Sequence, residues 1–132
     1  MTDIESTTVN EEGFTATSRV GDFDIATDAQ GETGPTPNDV LVADYAACFT
    51  YAFRAGAMRS DYEDLGQIQT DAEADLDDED DLSAVRFTIH VERDLTDEEV
   101  NDLLDKAEDV CHVHAALREG LHADVTVNPN AF

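Results

Sequence analysis

The chain has 132 residues, enough for one domain with a real core. Asp and Glu number 32 against 7 Lys and Arg, a formal net charge of −25. That charge excludes nucleic acid and anionic membrane surfaces as partners, because both are gripped by Lys and Arg. With only two cysteines and an acidic start (Met1-Thr2-Asp3-Ile4-Glu5) that lacks an apolar segment, a disulfide-stapled secreted scaffold is not expected. The expected compartment is the cytoplasm, where disulfides are more often catalytic or sensing than structural.

Residues 1–12 are polar and are expected to be frayed. Phe14 to Val20 and Phe23 to Asp28 flank Gly21-Asp22 and predict a β-hairpin. Gln30 to Pro37 carries Gly31, Gly34, Pro35 and Pro37 and predicts a loop. A long helix follows, with Thr36 as N-cap, Pro37 at the first helical position and Asp39 closing a capping box. Between Val40 and Met58 the only charges are Asp44 and Arg54, so the helix is expected to be buried nearly all round. Those two charges, the small residues and the acidic flanks argue against a membrane span.

Gln67 to Asp75 predicts a weaker strand and Asp77 to Asp81 a charged hairpin tip. That run lacks the glycine and final glutamate of a calcium loop. Val85, Phe87, Ile89 and Val91 alternate with polar residues and predict a half-buried strand. Thr96 and Glu99 open a second helix, whose apolar stripe Val100, Leu103, Leu104, Ala107 and Val110 runs on into Cys111. A short turn or helix to Leu117 and a strand from Ala123 to Val127 complete the order. Strands and helices are partly segregated, which predicts an α+β fold with a mainly antiparallel sheet, residues 1–132 forming a single domain. So small a domain hardly covers the first helix, and a dimer interface would.

Both cysteines stand on or at predicted helices. A free cysteine is most often a small buried hydrophobe. If the fold brings the helices together, however, Cys48 and Cys111 become a reactive thiol with a resolving partner. Asp44, one turn before Cys48, opposes thiolate formation unless it points away. His112, His114 and His122 gather near Cys111 in the sequence. A zinc site from Cys111, His114 and His122 matches no ligand spacing and lacks a paired-cysteine half, so neither metal nor cofactor is expected. Arg19, one of six arginines, ends a strand beside a turn, where a side chain can reach into a pocket.

Three segments together carry a resemblance: Gly34-Pro35-Thr36-Pro37, Ala43-Asp44-Tyr45-Ala46-Ala47-Cys48-Phe49, and Cys111-His112-Val113-His114. The chain from Phe14 to Val127 resembles the OsmC/Ohr family of thiol peroxidases, with Thr15-Ala16-Thr17-Ser18-Arg19 similar to the segment that delivers an arginine. The resemblance implies an intertwined homodimer with the first helix of each subunit central and the active sites at the interface. It implies that Cys48 is the peroxidatic thiolate, Cys111 the resolving thiol and Arg19 the stabilising cation. It also implies organic hydroperoxides as substrates, a pocket lined by Tyr45, Phe49 and Phe53 with His114 near it, and an external thiol as reductant. Three positions depart from the family pattern. Asn38 stands where active members carry a glutamate, with Asp39 beside it as a shorter substitute. His112 replaces a proline, and Asp44 replaces a small residue. The other reading is a non-enzymatic dimer of the same fold, a redox sensor or a binder of small apolar ligands. The acid-coated surface resembles those of salt-in halophiles, haloarchaea above all.

Overall fold

The computed structural model describes residues 2–62 and 64–132. It divides into two compact units, one ending at Leu41 and the other beginning at Val42.

The first unit is an antiparallel meander of β1 (Ser6–Val9), β2 (Thr15–Val20) and β3 (Phe23–Asp28). Gly21 takes a φ of +59° in the β2–β3 turn, a conformation glycine adopts without a Cβ clash. Here the structure corrects the expectation of a frayed start. Ser6 to Val9 ladder onto Val20 to Thr17, Thr8 Oγ1 meets Ser18 Oγ at 2.8 Å, and the Asn10 amide donates to the carbonyls of Glu12, Gly13 and Thr15. Backbone pairing and one stapling side chain order a segment whose side chains all stay exposed.

Asp28 closes β3. Its carboxylate accepts from the N–H groups of Gln30, Glu32 and Thr33 and from the Thr33 hydroxyl. These donors, the Thr33 and Gln30 N–H groups foremost, hold the carboxyl below its ordinary range. The loop then enters α1 (Pro37–Met58) through the predicted capping box: Asp39 N–H donates to Thr36 Oγ1 at 3.1 Å and Thr36 N–H to Asp39 Oδ2 at 3.0 Å.

The second unit packs the apolar stripe of α1 (Tyr45, Ala46, Phe49, Ala52, Phe53, Gly56 and Ala57) into a single core. The other side of α1 is not covered within one chain: Tyr51 is 73% and Met58 65% exposed. One chain has too few elements to surround a 22-residue helix. The sheet runs in the order β4 (Ile68–Leu76), β5 (Leu82–Val91), β6 (Asp124–Asn128). β4 and β5 form a hairpin whose tip is the acidic run, where Asp77 accepts from the N–H groups of Glu79 and Asp81. β5 places Val85, Phe87, Ile89 and Val91 in the core, as the alternation predicts. β6 joins β5 in parallel, the one parallel pairing among the described residues in a mainly antiparallel α+β fold. A parallel neighbour needs a crossover, and α2 (Asp97–Val110) with α3 (His112–Ala116) supplies it. α2 starts with the predicted Thr96–Glu99 capping box and buries Leu103 and Ala107. α1 and α2 approach so closely at Gly56 that a Cβ there would stand 3.1 Å from Lys106 Cβ.

Candidate active site

Cys48 lies on α1, half-buried at the edge of the core. Cys111 is not part of a continuous helix, as the apolar stripe had implied. It is extended (φ −68°, ψ 110°) and caps two helices at once. Its N–H closes α2 onto the Ala107 carbonyl, and its sulfur opens α3 by accepting the His114 N–H at 3.4 Å. This corner turns Cys111 inward, 1% exposed, and sets it beside Cys48: both thiols are free, and Cys48 is near enough to perturb the ionisation of Cys111. Burial pushes the Cys111 thiol up to about 11, with the Cys48 neighbour adding to the rise and the His114 and Val113 N–H groups opposing it. Asp44 is exposed to solvent.

One turn before Cys48, the buried Tyr45 hydroxyl accepts the Ala123 N–H at 3.0 Å and lies 2.6 Å from His114 Nδ1. With the Ala123 N–H already donating to it, the hydroxyl turns its own proton to His114. A neutral His114 ring accepts it at Nδ1 and carries its proton on Nε2. Burial lowers the His114 pKa, and His122, stacked on it at 3.9 Å between ring centroids, lowers it further, while Glu108 works the other way. His122 Nε2 in turn donates to the Leu117 carbonyl at 3.1 Å. Burial raises the Tyr45 pKa, so the hydroxyl keeps its proton at neutral pH.

The structure thus gathers Cys48, Cys111, Tyr45 and His114, all expected at the site. Phe49 and Phe53, expected along a pocket with Tyr45, are core residues here, both 0% exposed and Tyr45 1%. Phe49 packs against Phe87 at 5.6 Å and against the His114 ring at 6.2 Å. Arg19, Asn38 and Asp39 belong to the N-terminal unit. Arg19 faces Asp24 across β2–β3 in an exposed pair at 3.4 Å. Asn38 is the second residue of α1, and the Asp39 carboxylate is engaged by the cap. Sequence reasoning missed the Tyr45–His114 bond and the bracing of Tyr45 by Ala123. The available signal was position: a tyrosine three residues before one cysteine and a histidine three after the other. Among the described residues no three His, Cys, Asp or Glu side chains gather as metal ligands, and no helix is long and apolar enough to cross a membrane.

Residues 29–126 match the family of OsmC-like proteins. An uncharacterised protein of Haloferax volcanii is 55% identical over all 132 residues and the whole of both chains. An OsmC-like protein of Mycoplasma pneumoniae superposes with a TM-score of 0.80 at 18% identity, covering 96% of each chain. An organic hydroperoxide resistance protein, OsmC, of Legionella pneumophila does so with a TM-score of 0.75 at 22% identity, covering 97% of this chain and 98% of the other. The OhrB organic hydroperoxide resistance protein of Bacillus subtilis gives 0.71 at 22%, covering 96% and 98%. The chain belongs to the OsmC-like family, and its fold is that of these proteins.

Proposed function

We propose that this protein is a two-cysteine thiol peroxidase for organic hydroperoxides. The observation that carries the reading is the pair of neighbouring free thiols, one half-buried and one buried. Burial separates their roles. Cys111, with a pKa of about 11, stays protonated at neutral pH and is the resolving thiol, which leaves Cys48 as the nucleophile. The names of the Legionella and Bacillus proteins favour an organic hydroperoxide as the substrate.

The Cys48 thiolate attacks one peroxide oxygen. The O–O bond breaks, an alkoxide leaves and takes a proton as the alcohol, and Cys48 becomes a sulfenic acid. Cys111 then attacks the Cys48 sulfur, the S–O bond breaks, and the departing hydroxide takes the Cys111 proton as water. An external thiol reductant reopens the disulfide by exchange. Arg19 is the cation we assign to the thiolate, by the family resemblance; its exposed pairing with Asp24 is of the kind that contributes little and is easily exchanged. The functional unit we assign is a homodimer, in which a second copy covers the exposed side of α1 around Tyr51 and Met58.

Counting free thiols after one equivalent of cumene hydroperoxide tests the reading. Wild type should lose both thiols within seconds, Cys111→Ser should stop at a Cys48 sulfenic acid, and Cys48→Ser should keep its thiol. Wild-type thiols that survive for hours would overturn the peroxidase and leave the fold as a ligand-binding dimer.

A further inference from the structure

Tyr45 stands three residues before Cys48 on α1, and His114 stands three residues after Cys111 in α3. Side chains three apart on α1 share a face, and Cys111 is the N-cap whose sulfur accepts the His114 N–H. The Tyr45–His114 hydrogen bond, 2.6 Å, is therefore a rung between the two elements that carry the neighbouring thiols. Each end of that rung is fixed independently. Ala123 N–H pins the Tyr45 hydroxyl, and His122 stacks on the His114 ring. His114 also connects the rung to the sulfur itself, because its backbone N–H donates to Cys111 Sγ at 3.4 Å.

This matters most once Cys48 has been oxidised. A sulfenic oxygen on Cys48 changes the group that Cys111 faces, so the two sulfurs alone do not define the spacing. Disulfide closure tolerates only a narrow geometry, with Cα atoms about 4.4–6.8 Å apart. The Tyr45–His114 rung is untouched by the oxidation.

We propose that Tyr45 and His114 are a positioning pair for the resolving step: their hydrogen bond holds the Cys111 corner against α1 so that its sulfur reaches oxidised Cys48, and reduction of the peroxide does not need it. The inference rests on the two-cysteine reading, but its geometric part is measurable without peroxide. In a glutathione redox buffer the ratio of Cys48–Cys111 disulfide to dithiol reports the effective concentration of one thiol at the other. Tyr45→Phe keeps the ring and removes the donor. His114→Phe keeps a ring for His122 to stack on and removes the acceptor, leaving the Ala123 N–H satisfied. His114→Asn restores an acceptor oxygen near the Nδ1 position.

The expected result is a fall in that ratio of roughly tenfold to a hundredfold in Tyr45→Phe and in His114→Phe. No further fall is expected in the double variant, and recovery is expected in His114→Asn. In a Cys111→Ser background, the rate of Cys48 sulfenic acid formation should fall far less in each of the three than the disulfide ratio does. An unchanged ratio in His114→Phe, additive losses in the double variant, or a parallel slowing of sulfenic acid formation would each overturn the proposal. If Tyr45→Phe fails to fold, the comparison of His114→Phe with His114→Asn decides alone. If wild-type Cys48 ignores peroxide, the peroxidase reading falls, while the glutathione titration still decides whether the rung sets the thiol spacing.

Discussion

Cys48 and Cys111 differ less in their neighbours than in their access to water, and that difference is open to a simple chemical test. With a pKa of about 11, Cys111 is about one-thousandth thiolate at pH 8. It is also 1% exposed. Iodoacetamide at pH 8 should therefore modify Cys48 well before Cys111, read by peptide mass spectrometry. Modification of Cys111 should then rise about tenfold per pH unit as the solution approaches pH 11, because a raised thiol pKa delays ionisation in that direction. Equal labelling of the two at pH 8 would contradict the burial seen here. The sequence raised the pairing of the cysteines only as a condition, that the two helix ends meet; the corner at Cys111, which is extended and caps two helices, was not legible. Nor was the partnership of Tyr45 with His114. Their 69-residue separation leaves no local pattern, and both look like ordinary helix residues until the Cys111 corner turns α3 back toward α1.

At the scale of elements, local chemistry was read most reliably where it is self-contained. Both capping boxes, Thr36–Asp39 and Thr96–Glu99, form as the residue types require. β1 was illegible because its residues bury nothing and are held by their ladder to β2. Gly66, just before β4, shows how tightly elements meet. Its φ is +69°, its carbonyl accepts from Arg54 Nη2 at 2.7 Å, and an added Cβ would stand within 2.8–2.9 Å of the Glu92 side chain that accepts the Gln67 N–H. Gly66→Ala should destabilise by about 1–2 kcal/mol from the left-handed backbone alone, and by more if Glu92 must move. Urea unfolding should show a lower midpoint at unchanged slope. Gly120→Ala, where a Cβ meets nothing within 4 Å, is the control and should be neutral or slightly stabilising.

The whole molecule is governed by its charge. With 32 acidic side chains against 7 Lys and Arg, like-charge repulsion favours the expanded chain, and salt should relieve it. Raising KCl from about 0.1 M to about 2 M should raise the thermal midpoint by several degrees, the opposite of a protein held mainly by surface ion pairs. A midpoint that falls with KCl would show that the charge is compensated in the fold. The exposed side of α1 bears on assembly at the same scale. Sedimentation should give twice the 14.4 kDa chain mass, and Tyr51→Glu with Met58→Glu should reduce it to one chain.

By itself the sequence determined the α+β class, both long helices with their starts, the alternating β5 strand, the two cysteines and the acidic surface. Each follows from a period, a cap or a composition that needs no distant partner. The tertiary structure decided what depends on residues far apart in the chain. It set β6 parallel beside β5 and left one side of α1 open to solvent. It broke the second helix at Cys111, burying that thiol against Cys48, and it closed the Tyr45–His114 bond beside them. Contacts between positions tens of residues apart arise only when packing settles which faces meet.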